Sequence, residues 1–185
     1  MVSGTLNRKV EWWFVEMNIF IEKLHVADEE NLFDFELENR TFFEEMVPTR
    51  GDEFYNPENF KKIHKTLLEE QVNDDSYFYL IKNREGLILG RINLVDIEKS
   101  DKIGYLGYRV GQAYTGKGIA NTALKLLIET VTGKGIKQIK AKTTTNNIAS
   151  QRVLEKNGFE RIETSSEEFE MNGQMLKFVY YILKI

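Results

Sequence analysis

The run from Gly104 to Leu124, GYLGYRVGQAYTGKGIANTAL, limits this chain most. A β-rich stretch breaks into Gly-x-x-x-x-Gly-Lys-Gly, formed by Gly111, Gly116, Lys117 and Gly118, and then opens a helix with apolar residues at helical spacing. The glycines remove side chains where a backbone must bend and approach a ligand closely. The free N–H groups of the helix's first turn, and its dipole, then face an anion. A phosphate-bearing ligand is therefore expected here. The nucleoside-triphosphate P-loop does not fit, because it needs Ser or Thr where Gly118 stands to hold a magnesium ion, and no later apolar strand ends in Asp. The dinucleotide fingerprint fails too, since it requires a glycine at Asn121. What remains is a metal-free pyrophosphate cradle.

Two further strings give that cradle a family. Tyr114-Thr115-Gly116-Lys117-Gly118-Ile119-Ala120 resembles the acetyl-coenzyme A pyrophosphate loop of the GNAT N-acetyltransferases. Asn147-Ile148-Ala149-Ser150, followed by Val153-Leu154-Glu155-Lys156-Asn157-Gly158-Phe159, resembles their second signature, Asn-x-x-Ser with a terminal Glu-Lys-x-Gly-Phe. Leu24 to Asp28, leading into a helix with Glu38-Asn39-Arg40 near its end, is similar to the opening of the RimJ/RimL-type branch, which acetylates ribosomal-protein N-termini. The resemblance runs from about Met17 to Ile185. Many family members carry Arg or Gln where this chain has Ala113, with Gln112 one place earlier; the branch tolerates that difference.

Composition narrows the alternatives. With 185 residues, 42% hydrophobic and 12% aromatic, one domain can bury a substantial core without disulfides. There is no cysteine. That removes a Cys nucleophile, a thiolate metal site and a disulfide scaffold together, and it suits a reducing cytoplasm. With only two histidines, His25 and His64, a His-based metal cluster is not expected either. No apolar run approaches the ~20 residues of a membrane span, and Trp12-Trp13-Phe14-Val15 is too short for a secretory segment. A net charge of −4 argues against a nucleic-acid partner. Between Asp34 and Glu53, however, seven acids (Asp34, Glu36, Glu38, Glu44, Glu45, Asp52, Glu53) face only Arg40 and Arg50. Such a run is either a solvated helix face or an electrostatic guide for a basic acceptor.

The local patterns alternate. Asn18 to Leu24 reads as a strand and Ala27 to Asn39 as a helix; after the Pro48–Pro57 loop a second helix spans Pro57 to Val72, with Pro in its first turn. Tyr77 to Lys82 and Leu87 to Ile97 form a hairpin around Asn83-Arg84-Glu85-Gly86. The strand before the cradle, a helix from Gly118 to Thr132 and a strand from Lys137 to Thr143 follow. A short helix then starts at or beside Asn147 and stops at Asn157-Gly158. The last two strands, Arg161 to Glu170 and Leu176 to Ile185, flank the Asn172-Gly173 turn. Residues 1–16 read as an N-terminal extension and 17–185 as the domain. The resemblance implies a single-domain α/β GNAT fold: a mixed, mostly antiparallel twisted sheet of about seven strands with about four helices and a splayed central strand pair.

The same resemblance assigns the site. Gly116, Lys117, Gly118, Ile119 and Ala120 would hold the pyrophosphate of acetyl-coenzyme A. Asn147 would hold its pantetheine arm, with Lys156 also toward the coenzyme, and a main-chain N–H near Arg109-Val110 would meet its carbonyl. Ser150 would donate a hydrogen bond to the sulfur; alternatively, its hydroxyl is a helix cap. In the family the strand before the cradle carries a bulge, with which Gly104, Gly107 and Gly111 are compatible, although glycine also marks close packing. Glu168 and Glu170 are the candidate bases, but the position aligned with the acid of relatives is Phe169, one residue out of phase. Tyr105 and Tyr108 are offered for substrate positioning or as core aromatics. No covalent enzyme intermediate is needed, so direct attack in a ternary complex is expected. The leading function is N-acetyltransfer to a protein N-terminus. A polyamine or aminoglycoside acetyltransferase and an inactive coenzyme-binding regulatory module are the alternatives. No metal is expected, and a homodimer is compatible with the reading.

Overall fold

Strand β2 (Tyr77–Asn83) shows how the chain becomes layered. Tyr77, Tyr79 and Ile81 enter one apolar cluster while Phe78 and Leu80 enter another, because successive strand residues face opposite sides of a sheet. A sheet apolar on both faces must be covered on both. The computed structural model describes residues 19–185, so the extension 1–16, together with Met17 and Asn18, lies outside the described residues.

Among the described residues, seven strands form the main sheet in the order β1-β2-β3-β4-β5-β9-β6. They are β1 (Ile19–Lys23), β2, β3 (Ile88–Glu98), β4 (Ile103–Val110), β5 (Gln138–Thr144), β6 (Glu160–Thr164) and β9 (Phe178–Lys184). Every neighbouring pair is antiparallel except β4 and β5. Strands β7 (Phe169–Met171) and β8 (Gln174–Leu176) form a separate hairpin.

On one face lie α4 (Ile119–Gly133) and α5 (Ile148–Lys156). Helix α4 buries Ile119, Ala123, Leu124, Leu127 and Val131, one stripe at helical spacing. On the other face are α1 (Glu29–Glu38), α2 (Arg40–Met46) and α3 (Pro57–Val72), whose cluster includes Leu32, Phe35, Phe43, Phe54 and Phe60. Asn56 caps α3 by accepting from Asn59 N, and Pro57 occupies the first turn, where a missing N–H costs nothing.

The α/β fold, its mostly antiparallel sheet and its strand number agree with the sequence reading. Two details differ. A fifth helix, α2, stands where the sequence suggested only the approach to a loop. Helix α1 is interrupted at Asn39, whose side chain donates to Phe35 O at 2.9 Å and accepts from Gln112 N at 2.8 Å, tying the helix end to the segment before the cradle. The final pair of strands is also cut into four. Strand β6 leaves the sheet after Thr164, and Glu167 N turns back onto Ser165 Oγ at 3.1 Å, so β7 pairs only with β8. Local serine hydrogen bonding competes there with the strand ladder.

Candidate functional site: a cleft through the sheet

Strands β4 and β5 run parallel and pair only from Ile103–Gln138 to Leu106–Ala141. Beyond that point β4 continues to Val110 against β3, and β5 continues to Thr144 against β9. The two strands therefore part, and a cleft of about 740 Å³ opens between them, walled by Ile119, Ala120 and Val153 from one face and by Phe43, Arg50 and Arg91 from the other. The splayed pair expected from the resemblance is present.

The expected bulge in β4 is not. Its register with β3 runs without a break from Tyr105–Val95 to Val110–Gly90, and the irregularity falls on the other side, between Val95 and Glu98 of β3. The three glycines serve separate needs instead. A Cβ on Gly104 would sit 2.5 Å from Leu94 Cγ, so that glycine allows close packing; a Cβ on Gly107 would meet nothing within 4 Å, so that glycine leaves a gap. A Cβ on Gly111 would lie 3.0 Å from Phe35.

The unbroken ladder has a consequence for backbone polarity. Gly111 N donates to Leu89 O at 2.9 Å, and in an antiparallel pair alternate residues turn their N–H groups to opposite sides. Counting back from Gly111, Arg109 and Gly107 face β3, whereas Val110 and Tyr108 face the splay. The peptide N–H groups of Val110 and Tyr108 thus point into the cleft, and that of Arg109 does not.

The cradle follows from torsion angles. Gly116 and Gly118 adopt φ of +73° and +80°, a region L-residues rarely occupy, and a Cβ on either would meet no protein atom within 4 Å. Gly118 is the N-cap of α4 and supplies no side chain to its first turn. The opening N–H groups of α4 are consequently free for an anion. Gly116, Gly118, Ile119 and Ala120 line the cleft, as do Asn147 and Lys156. Lys117 does not; its ammonium lies over the Tyr114 ring, 5.7 Å from the centroid.

Ser150 is not a cap. Asn147 performs that task, its side chain accepting from Ser150 N at 3.1 Å. The Ser150 hydroxyl instead lies 2.9 Å from the Tyr108 hydroxyl, joining α5 to β4 across the cleft. Burial pushes the Tyr108 phenol up to about 12, with the Ser150 hydrogen bond acting in the opposite sense. Tyr105, three residues earlier, points elsewhere and bonds Glu98 at 2.9 Å. The structure separates the two tyrosines that the sequence offered together.

Glu168 and Glu170 are exposed and absent from the cleft lining. Glu168 stands before β7 with Lys177 at 3.5 Å, and Glu170 lies within β7. Phe169 stacks on Phe178 with centroids 4.5 Å apart. No Asp or Glu lines the cleft among the described residues. The acid run is also largely spent within the fold: Arg40 pairs with both Glu44 and Asp52, Asn59 bonds Glu53 at 2.7 Å, and Glu36 is 0% exposed beneath arginines. Arg91 Nη1 reaches Glu36 at 2.9 Å and Arg109 Nη1 at 3.0 Å. Burial favours the neutral acid of Glu36, but Arg91, Arg109 and Arg50 outweigh it and hold the carboxyl below its ordinary value.

Sequence reading missed this arginine cluster. One signal was available: Arg91 interrupts an otherwise apolar strand, ILGRINLV, where an unpaired charge is not tolerated.

A layered fold with an anion cradle at the mouth of a splayed parallel pair, and two linked hydroxyls at its depth, defines a coenzyme-dependent acyltransferase class. Residues 18–160 match the family described as "Acetyltransferase (GNAT) domain", and the chain belongs to that family of N-acetyltransferases, whose acetyl donor is acetyl-coenzyme A. It is 28% identical over 158 residues to the probable N-acetyltransferase YjcK of Bacillus subtilis, covering 84% of this chain and 87% of that protein. It is 28% identical over 160 residues to the [ribosomal protein uS5]-alanine N-acetyltransferase of Escherichia coli, covering 84% and 82%. The fold superposes with a TM-score of 0.83 on RimL, a ribosomal L7/L12 α-N-protein acetyltransferase in complex with coenzyme A. That match is 20% identical and spans 90% of this chain and 94% of the other.

Proposed function

We propose that the chain transfers an acetyl group from acetyl-coenzyme A to the α-amine of a protein N-terminus, by direct attack with both substrates bound. The observation that carries this reading is the Tyr108–Ser150 hydroxyl pair, 2.9 Å apart at the place where β4 and β5 separate. When bound, acetyl-coenzyme A supplies the thioester carbonyl carbon to which the amine nitrogen bonds as the carbon–sulfur bond breaks. The chain's own groups serve that exchange. Gly116, Gly118 and the first turn of α4 hold the pyrophosphate, and the Val110 N–H donates to the carbonyl oxygen as charge grows on it. Tyr108, protonated at physiological pH, holds the Ser150 hydroxyl so that its proton is free to meet the departing sulfur.

The acceptor class is inferred from the lack of Asp and Glu in the cleft lining among the described residues. An α-amine with pKa ~7.8 costs about 1 kcal/mol to deprotonate at pH 7, whereas a lysine at ~10.4 costs about 4.6 kcal/mol. A cleft without Asp or Glu can release the first proton to water but offers no base for the second. The printed activities of the Escherichia coli relative and of RimL, both on ribosomal proteins, support the same choice. The cysteine-free composition suits the cytoplasm, where such acceptors occur. A basic acceptor, expected from the acid run, has less support, because those acids are mostly paired or buried. Screening peptides, polyamines and aminoglycosides with acetyl-coenzyme A, read by thiol release, tests the proposal. Turnover restricted to polyamines or aminoglycosides would overturn it, and no turnover of any amine would favour the regulatory module.

A further inference from the structure

Glu36 sits within an unequal set of charges. One carboxylate faces three guanidinium groups, with Arg50 Nη1 at 3.8 Å completing the ring begun by Arg91 and Arg109. The nearby acids do not restore the balance, since Glu44 is engaged by Arg40 and Thr49, and Asp52 by Arg40. Arg50 registers the surplus. Burial, and next the charges of Arg91 and Arg109, push its guanidinium down to about 9 against the pull of Glu36. Arg109 is pushed down as well, by burial first, while Glu36 is held low. The carboxylate is thus well compensated; Arg50 and Arg109 also lie over the rings of Phe54 and Phe43, 4.4 and 4.7 Å from the centroids, but one carboxylate still leaves positive charge in excess. Buried charge in excess is unfavourable unless something offsets it.

The surplus faces open space. A recess of about 490 Å³ is lined by Arg50, Arg91 and Asn93 together with apolar Phe54, Ile63 and Phe78. Arg50, Arg91, Asn93 and Gly107 also line the central cleft, so the two cavities meet there. Gly107 pairs directly with Asn93 across the β3–β4 ladder, and its missing side chain is the gap between them. Tyr108, the next residue, holds Ser150. The recess therefore opens toward the hydroxyl pair from the face opposite the phosphate cradle. Apolar walls around guanidinium groups strengthen their attraction for an anion.

We infer that this recess is a subsite for an anionic group, a carboxylate or phosphate carried by the acceptor, which Arg50 and Arg91 hold while the amine reaches past Gly107 toward Ser150. The inference rests on the N-acetyltransfer reading of the same cleft and reverses the acceptor charge that the acid run suggested. For a protein N-terminus, it calls for Asp or Glu within the first few residues.

The test uses matched acceptors in which only charge differs. Peptides beginning with Ala and carrying Asp or Glu at the next two positions are compared with their Asn or Gln counterparts and with Lys; phosphoethanolamine is compared with ethanolamine. Each kcat/KM is measured for the wild type and for Arg50→Gln, which removes the most exposed of the three arginines. The anionic member should be preferred by about tenfold in the wild type, and that ratio should fall toward one in Arg50→Gln. Because each ratio is internal to one protein, partial loss of fold does not mimic the result. Equal kcat/KM for charged and amide partners, a preference for Lys, or a preference that survives Arg50→Gln would each overturn the subsite. Acetylation of phosphoethanolamine over ethanolamine, with no peptide turned over, would keep the subsite and remove the N-terminal reading. Acetylation of peptides without regard to charge would do the reverse. If no acceptor turns over, calorimetric binding of inorganic phosphate with coenzyme A saturating the cradle decides: binding by the wild type and not by Arg50→Gln supports the subsite, and equal binding by both, or by neither, overturns it.

Discussion

The two faces of the sheet build their halves of the cleft by different means. On the α4/α5 face the cleft is shaped mainly by backbone: positive-φ glycines, the first turn of a helix, and a strand N–H left free by the splay. On the α1–α3 face it is shaped by side chains gathered from distant positions, Arg50, Arg91 and Arg109, whose charges meet on the buried Glu36. A backbone site leaves a local sequence string, because torsion angles and helix starts are written into neighbouring residues. A side-chain site assembled across some 70 positions leaves scattered residues.

The charged half should break hardest. Glu36→Gln removes the carboxylate that, among the described residues, holds Arg50, Arg91 and Arg109 together, and should destabilise the fold by about 3–5 kcal/mol, read by denaturant titration. The sign with pH follows from the lowered folded-state value: this contribution is complete above the ordinary Glu pKa of ~4.3 and is lost as pH falls through the folded value. The gap between wild type and variant should therefore close in acid. A variant as stable as the wild type at pH 7 would show that the arginines do not depend on Glu36.

The backbone half should lose ligand rather than fold. Gly118→Val forces a β-branched residue to φ +80° and places its side chain where the pyrophosphate would approach, weakening acetyl-coenzyme A binding by about a hundredfold. Titration calorimetry checks this, and wild-type affinity in a folded variant would remove the cradle assignment.

At the junction the expected effects are smaller. Ser150→Ala should lower kcat by about tenfold or more while the coenzyme Kd holds, because the hydroxyl acts on the departing sulfur. Since Asn147 is the cap, its melting temperature should stay near that of the wild type; a lower melting temperature with normal turnover would reverse the assignment. Tyr108→Phe should show a milder fall in kcat with the same unchanged Kd. Glu168→Gln and Glu170→Gln should change turnover least, within about twofold, as neither reaches the cleft. Loss of activity in either would restore a carboxylate base to the β7–β8 hairpin.

Legibility in the sequence divides along the same line. The glycine string and Asn147-to-Phe159 marked the turn before α4 and helix α5, since each rests on residues close together in the chain, while the splay was expected only from the family resemblance. Helix α3 runs from Pro57 to Val72 as its Pro and apolar spacing indicate. Helix α2 was hidden because its boundary depends on Asn39 reaching Gln112, 73 positions away. The last strands failed for a related reason: Ser165 draws Glu167 N out of a ladder that propensity alone would continue. Tyr108 could be read equally as core, and its pairing with Ser150 appears only once β4 meets α5. Of the seven acids in the run, Glu36, Glu44, Asp52 and Glu53 have partners within the fold, and Arg91 and Arg109, which hold Glu36, lie too far along the chain to be read as its partners.

Acetylation of an α-amine without a protein carboxylate as base is tested by locating the acetyl group on the product. A peptide library whose members carry both a free N-terminus and an internal lysine is acetylated by the purified protein over a range of pH and mapped by mass spectrometry. The account predicts acetyl groups on the N-terminal nitrogen, with a rate that rises with an apparent pKa of ~8, following the free α-amine. Acetyl groups confined to lysine side chains would contradict it.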